Sequence, residues 1–204
     1  MTAHKRGLAT LLPVRTPDQR AGAVLAGLTY LRVALTPVVM ALVLMGPDPS
    51  WAVPLAAGLF AFAAITDFFD GRLARRWKQT SALGSFLDTT ADKLLVAGVL
   101  IALVEVGRAS AWVAAIIIAR ELLILGLRGA VTASDGTVVA PSLLGKAKAN
   151  VQFAAITLAI WRPEIIIADR YLDEWAMVVA AAITLWSAVD YLGRFVGRLT
   201  RSTP

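Results

Sequence analysis

The sequence predicts an all-α polytopic membrane protein, with six transmembrane helices and a basic N-terminal juxtamembrane arm. Three observations predict it. The 204 residues are 58% hydrophobic and 17% charged, with mean hydropathy +0.70, a composition unlike that of soluble globular domains. Apolar windows suited to crossing a bilayer recur six times between polar or Pro/Gly-containing breaks. Lysine and arginine are shared unequally between alternate breaks, the asymmetry that orients membrane helices.

Residues 1–20 carry Lys5, Arg6, Arg15 and Arg20 beside Leu8, Leu11 and Leu12, without the compact apolar core and cleavage site of a signal peptide; they read as a cytoplasmic arm. The first helix is expected at 21–46, where Pro37 either kinks it or is tolerated, and it stops at Gly46-Pro47-Asp48-Pro49. The second spans 51–72 and the third 83–106, closed by Gly107-Arg108. The fourth spans 110–130 and the fifth 141–162, ended by Arg162-Pro163; the sixth covers 174–198. Residues 21–198 thus form one six-helix domain without an evident internal repeat, and 199–204 form a tail.

An even number of helices puts both termini on one side. Fourteen basic residues, among them Arg72, Arg75, Arg76, Lys78, Arg128, Lys146, Lys148, Arg194 and Arg198, fall on the side of the termini, against Arg108, Arg162 and Arg170 on the other. Both termini are therefore expected in the cytoplasm of a multi-pass cell-membrane protein. Trp51, Trp112, Trp161 and Trp175 fall at the expected outer helix ends, as an aromatic belt requires. The net charge of +6 is assigned to this anchoring in the lipid bilayer, so no nucleic-acid partner is expected.

The chain has no cysteine and a single histidine, His4, which excludes thiol chemistry and histidine-rich metal sites and leaves carboxylates as the chemical groups. Their depth is informative. Asp67 lies 16 residues inward from Trp51, ~24 Å along a helix. Arg32, Asp92, Lys148 and Asp190 lie at comparable depths, ~18–22 Å from the outer ends of their helices, short of a ~30 Å hydrocarbon core. Each costs roughly 2.5–3.5 kcal/mol unless it faces protein or water. One polar cavity opening to the cytoplasm accommodates them all.

The chemistry is carried by Thr66-Asp67-Phe68-Phe69-Asp70-Gly71-Arg72-Leu73-Ala74-Arg75 and Gly84-Ser85-Phe86-Leu87-Asp88-Thr89-Thr90-Ala91-Asp92-Lys93. Asp67 and Asp70 are three apart and Asp88 and Asp92 four apart, so each pair shares a helix face, and the short connection makes the two helices antiparallel neighbours. Four converging carboxylates call for hard divalent cations, magnesium above all with manganese as the alternative. A two-metal site suits attack at phosphorus. Gly71 and Gly84 leave room for a ligand, Ala74 keeps its turn narrow, and Arg75 offers a bidentate fork to a diphosphate.

This eight-residue pattern resembles the signature of the CDP-alcohol phosphotransferase family. The resemblance implies a six-helix membrane enzyme, usually a homodimer, in which an acceptor hydroxyl displaces CMP from a CDP-alcohol. It implies that Asp67, Asp70 and Asp88 are metal ligands and that Asp92, near the second metal, is both ligand and general base. Asp67, Gly71, Ala74, Arg75 and Gly84 would form the CDP site.

Ala91-Asp92-Lys93-Leu94-Leu95, Ala119-Arg120-Glu121-Leu122 and Gly145-Lys146-Ala147-Lys148 further resemble the phosphatidylglycerophosphate synthase branch of that family. That branch uses CDP-diacylglycerol and glycerol 3-phosphate, whose own phosphate needs cations apart from the metals. Arg120, Arg128, Lys146 and Lys148 are on the right side to supply them, although positive-inside anchoring also explains the two lysines. Glu121 reads as an orienting partner of Arg120, and Arg32 as either snorkelling or joining the cavity. Thr89, Ala149 and Ala26 depart from the branch pattern, leaving cardiolipin synthase and phosphatidylinositol phosphate synthase chemistry as alternatives. A cation transporter is the competing class; it would place its acidic site near the midplane among broken or repeated helices.

Overall fold

The computed structural model describes the backbone of residues 17–77, 82–135 and 143–199, and the side chains of residues 26–66, 86–131 and 148–193. Six helices dominate: α1 (Pro17–Met45), α2 (Ala52–Trp77), α3 (Ala82–Glu105), α4 (Ala111–Asp135), α5 (Leu143–Trp161) and α6 (Leu172–Leu199). The ends away from the aspartates match expectation closely: Gly46 and Gly107, both at positive φ, stop α1 and α3. At the opposite end α2 runs on to Trp77, since no proline or further glycine follows Gly71 to halt it. α1 continues through Pro37, which lies on an exposed face.

The principal packing partners close a ring in the order α1, α3, α4, α6, α5, α2 and back to α1, with α3 also touching α5 across the middle. The expectation that α2 and α3 are neighbours rests on their connection, which lies outside the described residues. Among the described residues α1 packs against both, and Gly98 of α3 lets α1 approach until a Cβ at that position would lie 2.8 Å from Met40 Sδ and 2.9 Å from Thr36 Cγ2. Elsewhere buried alanines make close packing possible, including Ala56, Ala57, Ala102, Ala155, Ala159 and Ala180. Phe60 of α2 and Phe153 of α5 meet with ring centroids 5.7 Å apart.

The outer surface is apolar as well: Ile65, Ile101, Leu122, Trp186 and Val189 are all more than half exposed. Helices apolar on both faces suit a lipid surround. Two stretches, Ala26–Met45 and Leu172–Gly193, are long and apolar enough to cross a membrane, and Ala52–Thr66 is a shorter apolar run. Asp88, Asp92 and Lys93 interrupt α3, and Arg120, Glu121 and Arg128 interrupt α4. These features and the two apolar stretches mark a membrane protein.

At the end of the bundle that carries Trp51, Trp112, Trp161 and Trp175, Arg108 Nη1 donates to the Ile160 carbonyl at 2.6 Å, fastening the α3–α4 turn to α5. The segment after Arg162, expected as a plain loop, holds a small antiparallel hairpin of β1 (Ile166–Ile167) and β2 (Arg170–Tyr171). Its turn residues Ala168 and Asp169 both have positive φ. Alanine there hides the Asn/Gly signal by which such turns are recognised. Arg162 lies 4.3 Å from the centre of the Tyr171 ring. Trp51, Trp112, Trp161 and Trp175 are all exposed at this end, and Trp175 Nε1 donates to the Ile167 carbonyl at 2.9 Å.

Candidate active site

The chemistry-bearing half of the bundle lies opposite the tryptophans. α2 carries Asp67, Asp70, Gly71, Ala74 and Arg75, and α3 carries Gly84; the backbone is helical at all six, while their side chains lie outside the described residues. Asp67 and Asp70 therefore keep the three-residue helical spacing expected of them. Asp88 and Asp92 stand one turn apart on α3. With half of the aspartate set outside the described side chains, no group of three acidic or histidine side chains gathers among those that are described.

Asp88 is half-buried against α1. Its Oδ1 accepts from Arg32 Nη1 at 2.9 Å and from Thr29 Oγ1 at 3.4 Å. Arg32, only 2% exposed, is thus buried against Asp88 and does not snorkel. Thr36 holds the same turn by donating to the Arg32 carbonyl at 3.1 Å. Asp92 is buried, its Oδ2 accepting from Lys93 Nζ at 2.8 Å. Asp92 Oδ1 is buried with no hydrogen-bond partner among the described residues. Such an oxygen lacks a cation or a proton donor, and an oxygen-only donor set built from carboxylates fits a hard divalent ion.

A second cluster lies one helix further round the ring. Lys148 of α5, 3% exposed, pairs with Glu121 of α4, and Lys93 reaches the same carboxylate at 2.9 Å. Arg120 donates to Glu121 Oε1 at 3.2 Å through Nη1 and to Ser187 Oγ of α6 at 2.8 Å through Nη2; its Nε is buried without a partner among the described residues. Among the described residues, three cations here contact two carboxylates in a setting of low dielectric.

Of the four cations expected to meet an acceptor phosphate, the structure brings Arg120 and Lys148 together on Glu121. Arg128 stands half-buried two turns further along α4, and Lys146, at the start of α5, has its side chain outside the described residues. Sequence reasoning assigned no role to Lys93, Ser187 or Gln152, although Gln152 is buried with its Oε1 unpartnered among the described residues. The available signal was a polar residue at a depth where the membrane forbids an unpaired one.

The family profile described as CDP-alcohol phosphatidyltransferase matches residues 25–186. A protein of Pectobacterium atrosepticum named CDP-diacylglycerol–glycerol-3-phosphate 3-phosphatidyltransferase is 44% identical over 170 residues, covering 81% of this chain and 90% of its own length. Proteins of the same name from Salmonella choleraesuis and Shigella flexneri serotype 5b are 41% and 43% identical, covering 84% and 81% of this chain and 94% and 90% of their own lengths. The matched residues begin within α1 before Arg32, end within α6 and take in both halves of the aspartate pattern. The chain therefore belongs to the CDP-alcohol phosphatidyltransferase family, and it is a transferase.

Proposed function

We propose that the protein transfers the phosphatidyl group of CDP-diacylglycerol to glycerol 3-phosphate, giving phosphatidylglycerophosphate and CMP in phospholipid synthesis. The names of its relatives support both substrates. The observation that carries the acceptor is the meeting of Arg120 and Lys148 in a buried cluster beside the Asp88–Asp92 face of α3. Two such cations suit a phosphate monoester, which accepts charge-assisted hydrogen bonds from both.

In this reading an acceptor hydroxyl oxygen bonds to the phosphatidyl phosphorus, the bond from that phosphorus to the CMP oxygen breaks, and CMP leaves. Asp92 takes the hydroxyl proton at Oδ1, because Oδ2 is already engaged by Lys93. Asp67, Gly71, Ala74, Arg75 and Gly84 hold the CDP portion, with the Arg75 fork on its diphosphate. Arg120 and Lys148, with Arg128 and Lys146 toward the cytoplasm, hold the acceptor phosphate. The family generally depends on a divalent metal. Asp67, Asp70, Asp88 and Asp92 would hold two such ions, magnesium or manganese, which when bound neutralise phosphate charge and stabilise the leaving oxygen.

The wider arrangement is proposed on the same basis. Six membrane-crossing helices over residues 21–198 leave residues 1–20 as a basic arm and 199–204 as a tail, both cytoplasmic, with the site opening to the cytoplasm. The excess of lysine and arginine on the side of the termini supports that orientation. The homodimer rests on the family resemblance. Purified protein given CDP-diacylglycerol with glycerol 3-phosphate, inositol 1-phosphate or phosphatidylglycerol separately, with CMP release measured, tests the reading. Release with glycerol 3-phosphate alone is expected; release with phosphatidylglycerol alone would overturn the acceptor.

A further inference from the structure

The buried charges of three helices meet on one side chain. Glu121, 5% exposed, receives Lys148 from α5 and Lys93 from α3, and its neighbour Arg120 on α4. Two of these cations reach onward, Lys93 to Asp92 Oδ2 at 2.8 Å and Arg120 to Ser187 of α6 at 2.8 Å. A continuous chain of charge-assisted contacts therefore runs from Asp92 through Lys93 and Glu121 to Lys148 and Arg120.

We propose that Glu121 is a positioning residue for the acceptor, fixing where Lys148 and Arg120 stand relative to Asp92. This rests on the acceptor reading given above. Lysine carries its charge on a flexible stem, and three like charges in a low-dielectric interior separate unless a common counter-charge holds them. Glu121 is that counter-charge, and because it also grips Lys93 it ties the phosphate-facing cations to the residue that takes the proton. Glycerol 3-phosphate has a short reach between hydroxyl and phosphate. Its two ends engage together only if the cations and Asp92 keep their separation. The CDP portion of the donor, held by residues of α2 and by Gly84 of α3, is not in the set that Glu121 contacts.

Full-length protein in lipid nanodiscs, assayed by CMP release with each substrate varied in turn, tests the proposal. Glu121→Gln is expected to raise the KM for glycerol 3-phosphate by roughly ten- to a hundredfold, as a displacement of about 1 Å does. The KM for CDP-diacylglycerol should stay within about twofold. Glu121→Asp, which keeps the charge on a shorter stem, should fall between wild type and the glutamine variant. In the double variant Glu121→Gln/Lys148→Met the two penalties should combine to less than their product, since both break one contact. An unchanged acceptor KM in Glu121→Gln, or equal losses for both substrates, overturns the proposal. Should Glu121→Gln fail to fold, Glu121→Asp decides by the same split. Lys148→Met separates the two readings: a raised acceptor KM there with none in the Glu121 variants sinks the positioning role alone, whereas no change in any variant sinks the acceptor reading and the positioning role with it.

Discussion

Gly98→Ala adds a single methyl group where α1 and α3 approach most closely, and the structure gives the sign of its effect. The new Cβ would lie 2.8 Å from Met40 Sδ and 2.9 Å from Thr36 Cγ2. Met40 can yield, because its thioether ends a flexible chain. Thr36 cannot do so cheaply: it is β-branched, buried, and its hydroxyl donates to the Arg32 carbonyl at 3.1 Å. The helix must shift instead. Alanine gains about 1 kcal/mol over glycine in helix propensity, while overpacking costs typically ~1–3 kcal/mol. The balance is a loss of up to ~2 kcal/mol, or an apparent Tm lower by several degrees, at ~2–4 °C per kcal/mol for a chain of this size. A thermal-unfolding series in one detergent measures it. Because Arg32 rides on the same turn of α1 and holds Asp88 at 2.9 Å, kcat should fall as well. Gly98→Ala/Thr36→Ser removes the Cγ2 methyl group, keeps the hydroxyl, and should recover most of both losses. A Gly98→Ala protein as stable and active as wild type would refute the reasoning, since propensity would then have outweighed the contact.

Three further outcomes are expected. Asp67→Asn, Asp70→Asn and Asp88→Asn should each nearly abolish CMP release, and chelation should do the same to wild type, because a charge-balanced divalent site loses an anionic ligand in each case; full turnover in excess EDTA contradicts this. Asp92→Asn should lower kcat by about 10²–10⁴-fold, the ordinary contribution of a general base, while donor binding measured directly is largely kept. Arg120→Lys should raise the KM for glycerol 3-phosphate by roughly tenfold or more, since a point charge does not reproduce a fork that reaches Glu121 and Ser187 together; an unchanged KM would return Arg120 to a topological role.

Much of this was legible in the chain itself. Hydropathy and the glycines after α1 and α3 locate the helices because both act locally, within a few residues of where they are read. The aspartate pairs are equally legible, since helical geometry puts residues three or four apart on one face whatever the tertiary fold. Tertiary structure alone decided the partners. Arg32 meets Asp88 across 56 residues, Lys148 meets Glu121 across 27, and Arg120 meets Ser187 across 67. Such pairings follow from the order of helices around the ring and the rotation of each about its axis, which apolar surfaces on every side leave unspecified. Over the described residues α1 packs against both α2 and α3, and Gly98 permits its close approach to α3. That approach brings Arg32 to Asp88, a contact that no local pattern encodes.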